Sequence, residues 1–226
     1  MRLFLHIPKC AGTSIKEILE NQCSNNLSLD YDSYFRLPKP ERAKKILHSL
    51  ENPTAVDDSH VVYGHFFPVK YIGDRKPINL TLVTILRDPL SRLISHYEFW
   101  NNRDFSDHYL WRKMKENSWT LSQFIMSDEM RNFYSQYFSQ CPLQLFSYIG
   151  IYENLIESTN ECLTALRLNG NLVSIPHSNK TPNKLFENLS HNFLKEAQDF
   201  HSDDYLIYNY ALKKFNPHIK PTPPQL

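Results

Sequence analysis

The chain has 226 residues, 41% of them hydrophobic, long enough for one sizeable core, and one domain is the expectation. Its 25 basic residues nearly balance 24 acidic ones, leaving a net charge of +1. A bulk nucleic-acid binder usually carries a basic excess, so that class drops in rank, and any anion site must be a local pocket.

In chain order, Arg2 to Ile7 reads as an apolar strand. The stretch HIPKCAGTS, His6 to Ser14, overlaps its end and runs into Ile15, Ile18 and Leu19 at helical spacing. A strand, a short loop with a lysine and a glycine, then Thr-Ser at a helix start presents backbone N–H groups to an anion. Helix N-termini have unsatisfied donors and a positive dipole end, so phosphate or sulfate is the natural guest. Lys9 adds a mobile charge, Gly12 allows close backbone approach, and Thr13 and Ser14 add hydroxyls. The plainer reading of this stretch alone is an ordinary capped turn. It is not a Walker A loop, which sets lysine directly before the hydroxyl residue. Here Lys9 precedes Thr13 by four positions, which disfavours a nucleotide triphosphatase.

Residues 24–37 are polar and turn-rich. Pro40 opens a helix with Ala43, Ile46, Leu47 and Leu50 on one face and Arg42, Lys44 and Lys45 on a solvated one. After a loop over 52–60, a short strand from Val61 to Tyr63 ends in Gly64-His65. Leu80 to Leu86 is almost continuously apolar and β-branched, as a parallel strand covered on both faces reads. It stops at Arg87, and Asp88-Pro89 supplies an N-cap and a first-turn proline. The following helix packs Leu90, Leu93, Ile94 and Tyr97, with Ser91, Arg92 and Ser95 on the other side.

Residues 100–142 are aromatic and charged, and are expected to form short helices over the sheet edge, where substrate contacts gather. Trp100, Tyr109, Trp111 and Trp119 suit a sugar face or, more simply, the core of a small helical subdomain. A strand from Phe146 to Ile151 leads into a helix turning Leu155, Ile156, Thr159, Leu163 and Leu166 inward. A polar loop spans 169–184, and the last helix packs Tyr208, Leu212 and Phe215. The tail, 217–226, is proline-rich. Cys10, Cys23, Cys141 and Cys162 fit no metal spacing and read as buried or free thiols, with Cys10 filling a tight turn. No apolar run approaches the ~20 residues of a membrane span and no signal peptide is visible, so a cytoplasmic location is expected.

Strands alternating with helices imply a three-layer α/β domain with a central, mostly parallel sheet flanked by helices. Ligands in such folds sit at the carboxyl ends of the strands. Lys9, His65 and Arg87 each follow a strand.

With these residues in view, the chain resembles the sulfotransferase superfamily, in particular its carbohydrate 2-O and 6-O branch. The H-x-P-K opening motif is matched by His6 through Ser14, and R-[DN]-P-x-x-R-x-x-S by RDPLSRLIS. GIYENL (150–155) is similar to the family's G-x-x-E-x-[LF] segment, and Asp204 to Ala211 resembles its D-x-x-[LI]-Y-x-x-A closing helix. The resemblance implies a P-loop-like fold and a donor, 3′-phosphoadenosine 5′-phosphosulfate (PAPS), with no metal required. It further implies that Lys9, Gly12, Thr13 and Ser14 wrap the 5′-phosphosulfate and that Arg87 and Ser95 hold the 3′-phosphate. Asn179, Lys180 and Thr181 fall where the family closes a basic loop over the nucleotide. YGHFFPV is similar to the stretch that carries the base in 2-O-type enzymes, which makes His65 the candidate general base. The plainer reading of His65 is a structural histidine at a strand end. Lys9 would also meet charge on the bridging oxygen.

His6 is expected to orient the loop, and His60, His96 and His108 to have surface or packing roles. Residues 1–216 form the expected sulfotransferase-like domain, with 24–60 and 100–145 as acceptor-side insertions. The implied activity is sulfuryl transfer to a hydroxyl, most simply of a glycan, with PAP as product and no nucleic-acid partner. A lipid, phenol or peptide tyrosine acceptor, or a non-catalytic PAP-binding module, are the rival readings.

Overall fold

The computed structural model describes residues 1–74, 79–172, 174–175 and 189–219. Five strands form one sheet: β1 (Arg2–Leu5), β2 (Leu27–Asp30), β3 (Val61–Gly64), β4 (Thr81–Leu86) and β5 (Tyr148–Ile151). Their order is β2-β3-β1-β4-β5 and every pairing is parallel. Successive strands leave β1 first to one side and then to the other, so the crevice at the end of β1 is the topological switch where open α/β sheets bind ligands.

The side chains of β1 alternate between two cores, as the pleat requires. Leu3 and Leu5 join one cluster with Val62, Leu82, Leu86 and Ile149; Phe4 joins the other with Val61, Tyr63, Val83 and Ile85. The second core is covered by α1 (Gly12–Cys23), through Ile15 and Leu19, and by α8 (Leu155–Ala165), through Cys162 and Leu163. The first core takes α4 (Pro89–Asn101) through Leu90, Leu93 and Ile94. It also receives α3 (Val69–Ile72), α5 (Tyr109–Glu116), α6 (Leu121–Ile125), α7 (Phe133–Tyr137) and α10 (Ser202–Phe215). Helix α9 (His191–Phe200) joins this core through Leu194 and Ala197, and α2 (Lys39–Glu51) packs against it through Ile46 and Leu50. The result is a three-layer α/β fold with an all-parallel sheet.

Several expectations are corrected. Residues 24–37 include β2, a short edge strand whose Ser28 and Leu29 face water, so it lacks the apolar signature of the central strands. Helix α2 buries Arg42 and Ser49 and leaves Ala43 and Leu47 exposed. The Arg42 guanidinium lies 4.2 Å from the Phe35 ring centroid and donates to Gln136 Oε1 at 2.6 Å, so aromatic stacking outweighs simple polarity there. On α4, Arg92 and Ser95 are buried instead of facing away from the packing. On α8, Ile156 is exposed and Ser158 takes the inward position, bonding the backbone of Ile151. The helices of 100–145 extend the main core; Trp100 is buried within it, while Tyr109, Trp111 and Trp119 pack around it.

Candidate active site

The backbone leaves β1 through a loop with positive φ at Lys9 (73°) and Ala11 (61°), neither of them glycine. Left-handed backbone at such residues costs ~1–2 kcal/mol each, and alternating it with ordinary backbone turns successive N–H groups to one side as an anion-binding nest. Helix α1 then begins at Gly12, and its N-cap residue, Ala11, makes no side-chain cap bond. Gly12 has a reason beyond ligand approach. A Cβ there would fall 1.7 Å from Cε1 and Nε2 of His6. The His6 ring fills the floor of the loop, stacked on Tyr63 at 5.3 Å, while Tyr63 Oη donates to the Gly12 carbonyl at 2.6 Å.

His65 stands just beyond the end of β3. Its Nδ1 donates to the His6 carbonyl at 2.7 Å, which fixes the tautomer and leaves the lone pair on Nε2. The His6 ring lies 4.3 Å from one side and Tyr31 meets it edge-on at 5.0 Å. Burial lowers its pKa to about 4; the bond to His6 pulls upward and Arg36 adds a smaller downward push. The imidazole is therefore neutral over the physiological range.

Arg87 follows β4, its guanidinium 4.5 Å from the Tyr152 ring centroid. Its backbone is clasped by the buried Tyr134, whose hydroxyl accepts from Arg87 N–H at 3.2 Å and donates to Arg87 C=O at 2.5 Å. Asp88 caps α4 by accepting from Ser91 N–H at 2.8 Å, and its own amide donates to Glu153 at 2.9 Å. Tyr205 and Tyr208 of α10 donate to Asp88 and Glu153.

These strand ends open on one cleft of about 850 Å³. Lys9, Gly12, Thr13, Ser14, His65, Arg87 and Ser95 all line it. Asn179, Lys180 and Thr181 lie outside the described residues.

The sequence from residue 3 to residue 211 matches the sulfotransferase family model. The chain belongs to the sulfotransferase family. The crystal structure of a sulfotransferase from Alicyclobacillus acidocaldarius aligns over 92% of this chain and 98% of its own, at 14% identity and a TM-score of 0.46. A search of curated proteins found no match.

The sulfotransferase works by PAPS-dependent sulfuryl transfer, and the cleft suits such a donor. The start of α1 and the cations Lys9 and Arg87 converge on it, and neither cation has a carboxylate partner within 4 Å among the described residues. Burial lowers the Lys9 pKa to about 8, helped by Arg87 and Arg103 and opposed by Cys10 and Glu98. Cys10 itself is pushed up to about 12 by burial, so it fills the turn as an inert thiol.

Sequence reasoning missed part of this wall. Tyr31, Ser33, Phe35 and Arg36 reach the cleft from the segment after β2, and Glu98, Phe99 and Arg103 from the end of α4. Helical spacing could have flagged Glu98 and Phe99, three and four residues past Ser95 on one helix face. His96 and His108 are packing residues against Trp100, as expected, yet both also touch the cleft. Among the described residues no helix is long and apolar enough to cross a membrane.

Proposed function

We propose that the sulfotransferase moves a sulfuryl group from PAPS to a carbohydrate hydroxyl, with His65 as general base. The supporting observation is the convergence of Lys9, Gly12, Thr13, Ser14, His65, Arg87 and Ser95 on one cleft. The donor supplies an electrophilic sulfur whose bond to the 5′-phosphate oxygen breaks as the acceptor oxygen bonds to it. In this reading the loop amides, Thr13, Ser14 and Lys9 hold the phosphosulfate, and Arg87 with Ser95 holds the 3′-phosphate. Lys9 and the α1 N-terminus meet the charge that grows on the departing phosphate, where preorganised donors act most strongly. His65 Nε2 takes the acceptor proton, while the His6 carbonyl keeps Nδ1–H engaged. Asn179, Lys180 and Thr181 are assigned, from sequence alone, to closing over the nucleotide.

The carbohydrate reading draws on the acceptor end of the cleft. Tyr31, Phe35, Phe105, Phe133 and Tyr137 line it with Ser33, Arg36 and His108 among them. Aromatic faces accept the C–H side of a sugar ring, and the scattered polar groups suit its hydroxyls. With Arg36 already paired to Asp107, a densely sulfated polymer is a poor fit. Segment 24–60 and most of 100–145 thus act on the acceptor side of one catalytic unit spanning 1–216. Four free, buried cysteines are the pattern of a reducing compartment, in keeping with a cytoplasmic setting.

A thermal-shift titration with PAP, ATP and ADP, with and without magnesium, tests the donor. PAP at one hundred times its Kd should stabilise the fold by ~2.7 kcal/mol without metal. A magnesium-dependent preference for ATP, or no shift with PAP, would sink the reading. Labelled PAPS offered to neutral glycans, phenols, lipids and tyrosine peptides tests the acceptor, with label expected on glycans. PAP binding without turnover on any acceptor would favour a binding module.

A further inference from the structure

Phe99, on the last turn of α4, faces the cleft and carries two cations. The Lys9 ammonium is 3.9 Å from its ring centroid and the Arg103 guanidinium carbon 4.7 Å. Each contact is attractive, yet two like charges sharing one ring also repel. No carboxylate relieves Arg103 among the described residues. Asp104 beside it accepts the Ser106 amide at 2.8 Å, and Asp107 pairs with Arg36 at 3.3 Å. Glu98, the carboxylate that lines the cleft, interacts with Lys9 and Arg87 at longer range and makes no ion pair within 4 Å among the described residues. Lys9, Arg87 and Arg103 therefore stand against aromatic rings, Phe99 and Tyr152, in a chain that has 24 carboxylates to offer. Cations kept from carboxylates around one cleft mark the seat of a multiply charged anion.

The donor reading above, on which this inference rests, uses Arg87 for the 3′-phosphate and Lys9 with the α1 N-terminus for the 5′ end. We propose that Arg103 is a further donor-binding residue, which shares the Phe99 ring with Lys9 and closes on the 5′-phosphosulfate end of PAPS. Its position just past α4, exposed and, among the described residues, tethered only through the ring, lets the side chain swing onto the anion at little cost. Phe99 acts as the seat that keeps both cations aimed into the cleft between turnovers.

Calorimetry on the full chain, with PAP and with adenosine 3′-monophosphate as probes, tests this without reference to turnover. Arg103→Gln should weaken PAP about tenfold, lower the salt dependence of binding, and leave adenosine 3′-monophosphate within twofold of wild type. Arg103→Lys should recover most of the loss. Phe99→Leu should weaken PAP by a smaller factor, and Arg87→Ala should weaken both ligands. The melting temperature of the unliganded Arg103→Gln protein should match wild type, since the side chain is exposed. Equal PAP affinity in wild type and Arg103→Gln would overturn the inference while sparing the donor reading. An equal loss on both ligands would overturn the assignment to the 5′ end. Wild type that fails to bind PAP at all would remove the donor reading itself, and this inference with it.

Discussion

A Cβ on Gly12 would collide with His6, so the two residues are fixed as a pair. Gly12→Ala should cost ~1–3 kcal/mol through overpacking and weaken PAP by distorting the loop. His6→Ala in the same chain should return part of that stability, a coupling above ~0.5 kcal/mol in a double-mutant cycle by urea unfolding. Strict additivity would mean the ring does not support the loop. At His65, replacement by Asn should lower kcat by ~10²–10⁴ and leave PAP affinity nearly unchanged. A base acts when deprotonated, and burial holds this imidazole's pKa to about 4. Activity in kcat/KM should therefore stay level down to about pH 5 and fall only as pH drops through about 4. An acid limb near the ordinary value of 6.5 would show that His65 is solvated or is not the base. The place of His65 on the cleft was legible because histidine after a strand-ending glycine is a local pattern. His6 was expected to orient the loop, but its contact with Gly12 was not legible, since it runs through space.

At the scale of elements, a chain of hydrogen bonds links α10 to Arg87 at the mouth of the cleft. Asp204 of α10 is buried and accepts from the amides of Tyr134 at 2.8 Å and Ser135 at 3.2 Å, at the start of α7. Tyr134 in turn clasps the backbone of Arg87. Tyr134→Phe keeps the ring in the core and removes only the clasp. With a net hydrogen bond worth ~1 kcal/mol, PAP affinity and the KM for PAPS should worsen about fivefold, with kcat little changed. Equal loss in kcat would instead place Tyr134 in the chemistry. His201 joins the same corner, with Nε2 donating to Ile125 C=O at 2.8 Å and Nδ1 accepting from Asn132 N–H at 3.2 Å. Sequence patterns marked α10 through its Tyr208 and Leu212 stripe but gave no sign that Asp204 would be turned inward. In α2 and α4 the same limitation applied: Arg42 and Arg92 are charged by type, and their burial becomes favourable only once Gln136 and the Phe133 ring arrive from distant segments, with the nearby Phe35 ring adding to the shelter of Arg42.

Across the whole molecule, His6, His65, His96, His108 and His201 all have pKa values lowered chiefly by burial. Below the ordinary value of 6.5 the unfolded chain binds protons that these folded sites refuse, so stability present above pH 6.5 is lost as pH falls towards about 4. Asp204 works the other way. Burial raises it to about 7, so its contribution favours the fold at low pH and is lost as pH rises. Burial raises Glu153 and Glu98 as well, in the same direction as Asp204. The five lowered histidines still outweigh these three carboxyls, and the melting temperature should drop steadily between pH 6.5 and 4.5; a flat profile would mean the histidines are hydrated in solution. The α/β class and the strand ends were determined by the sequence, because apolar periodicity, caps and loop motifs are encoded within a few neighbouring positions. The same local patterns singled out Lys9, Gly12, Thr13, Ser14, His65, Arg87 and Ser95, which the fold brings to one cleft. Only the tertiary structure decided that β2 is a strand, that Arg92 is buried, and that Phe99 and Arg103 stand beside Lys9. An edge strand takes its hydrogen bonds from β3, and a buried arginine its shelter from remote rings. Lys9 and Phe99, 90 positions apart, meet because β1 and β4 pair side by side and open their loops on the same crevice.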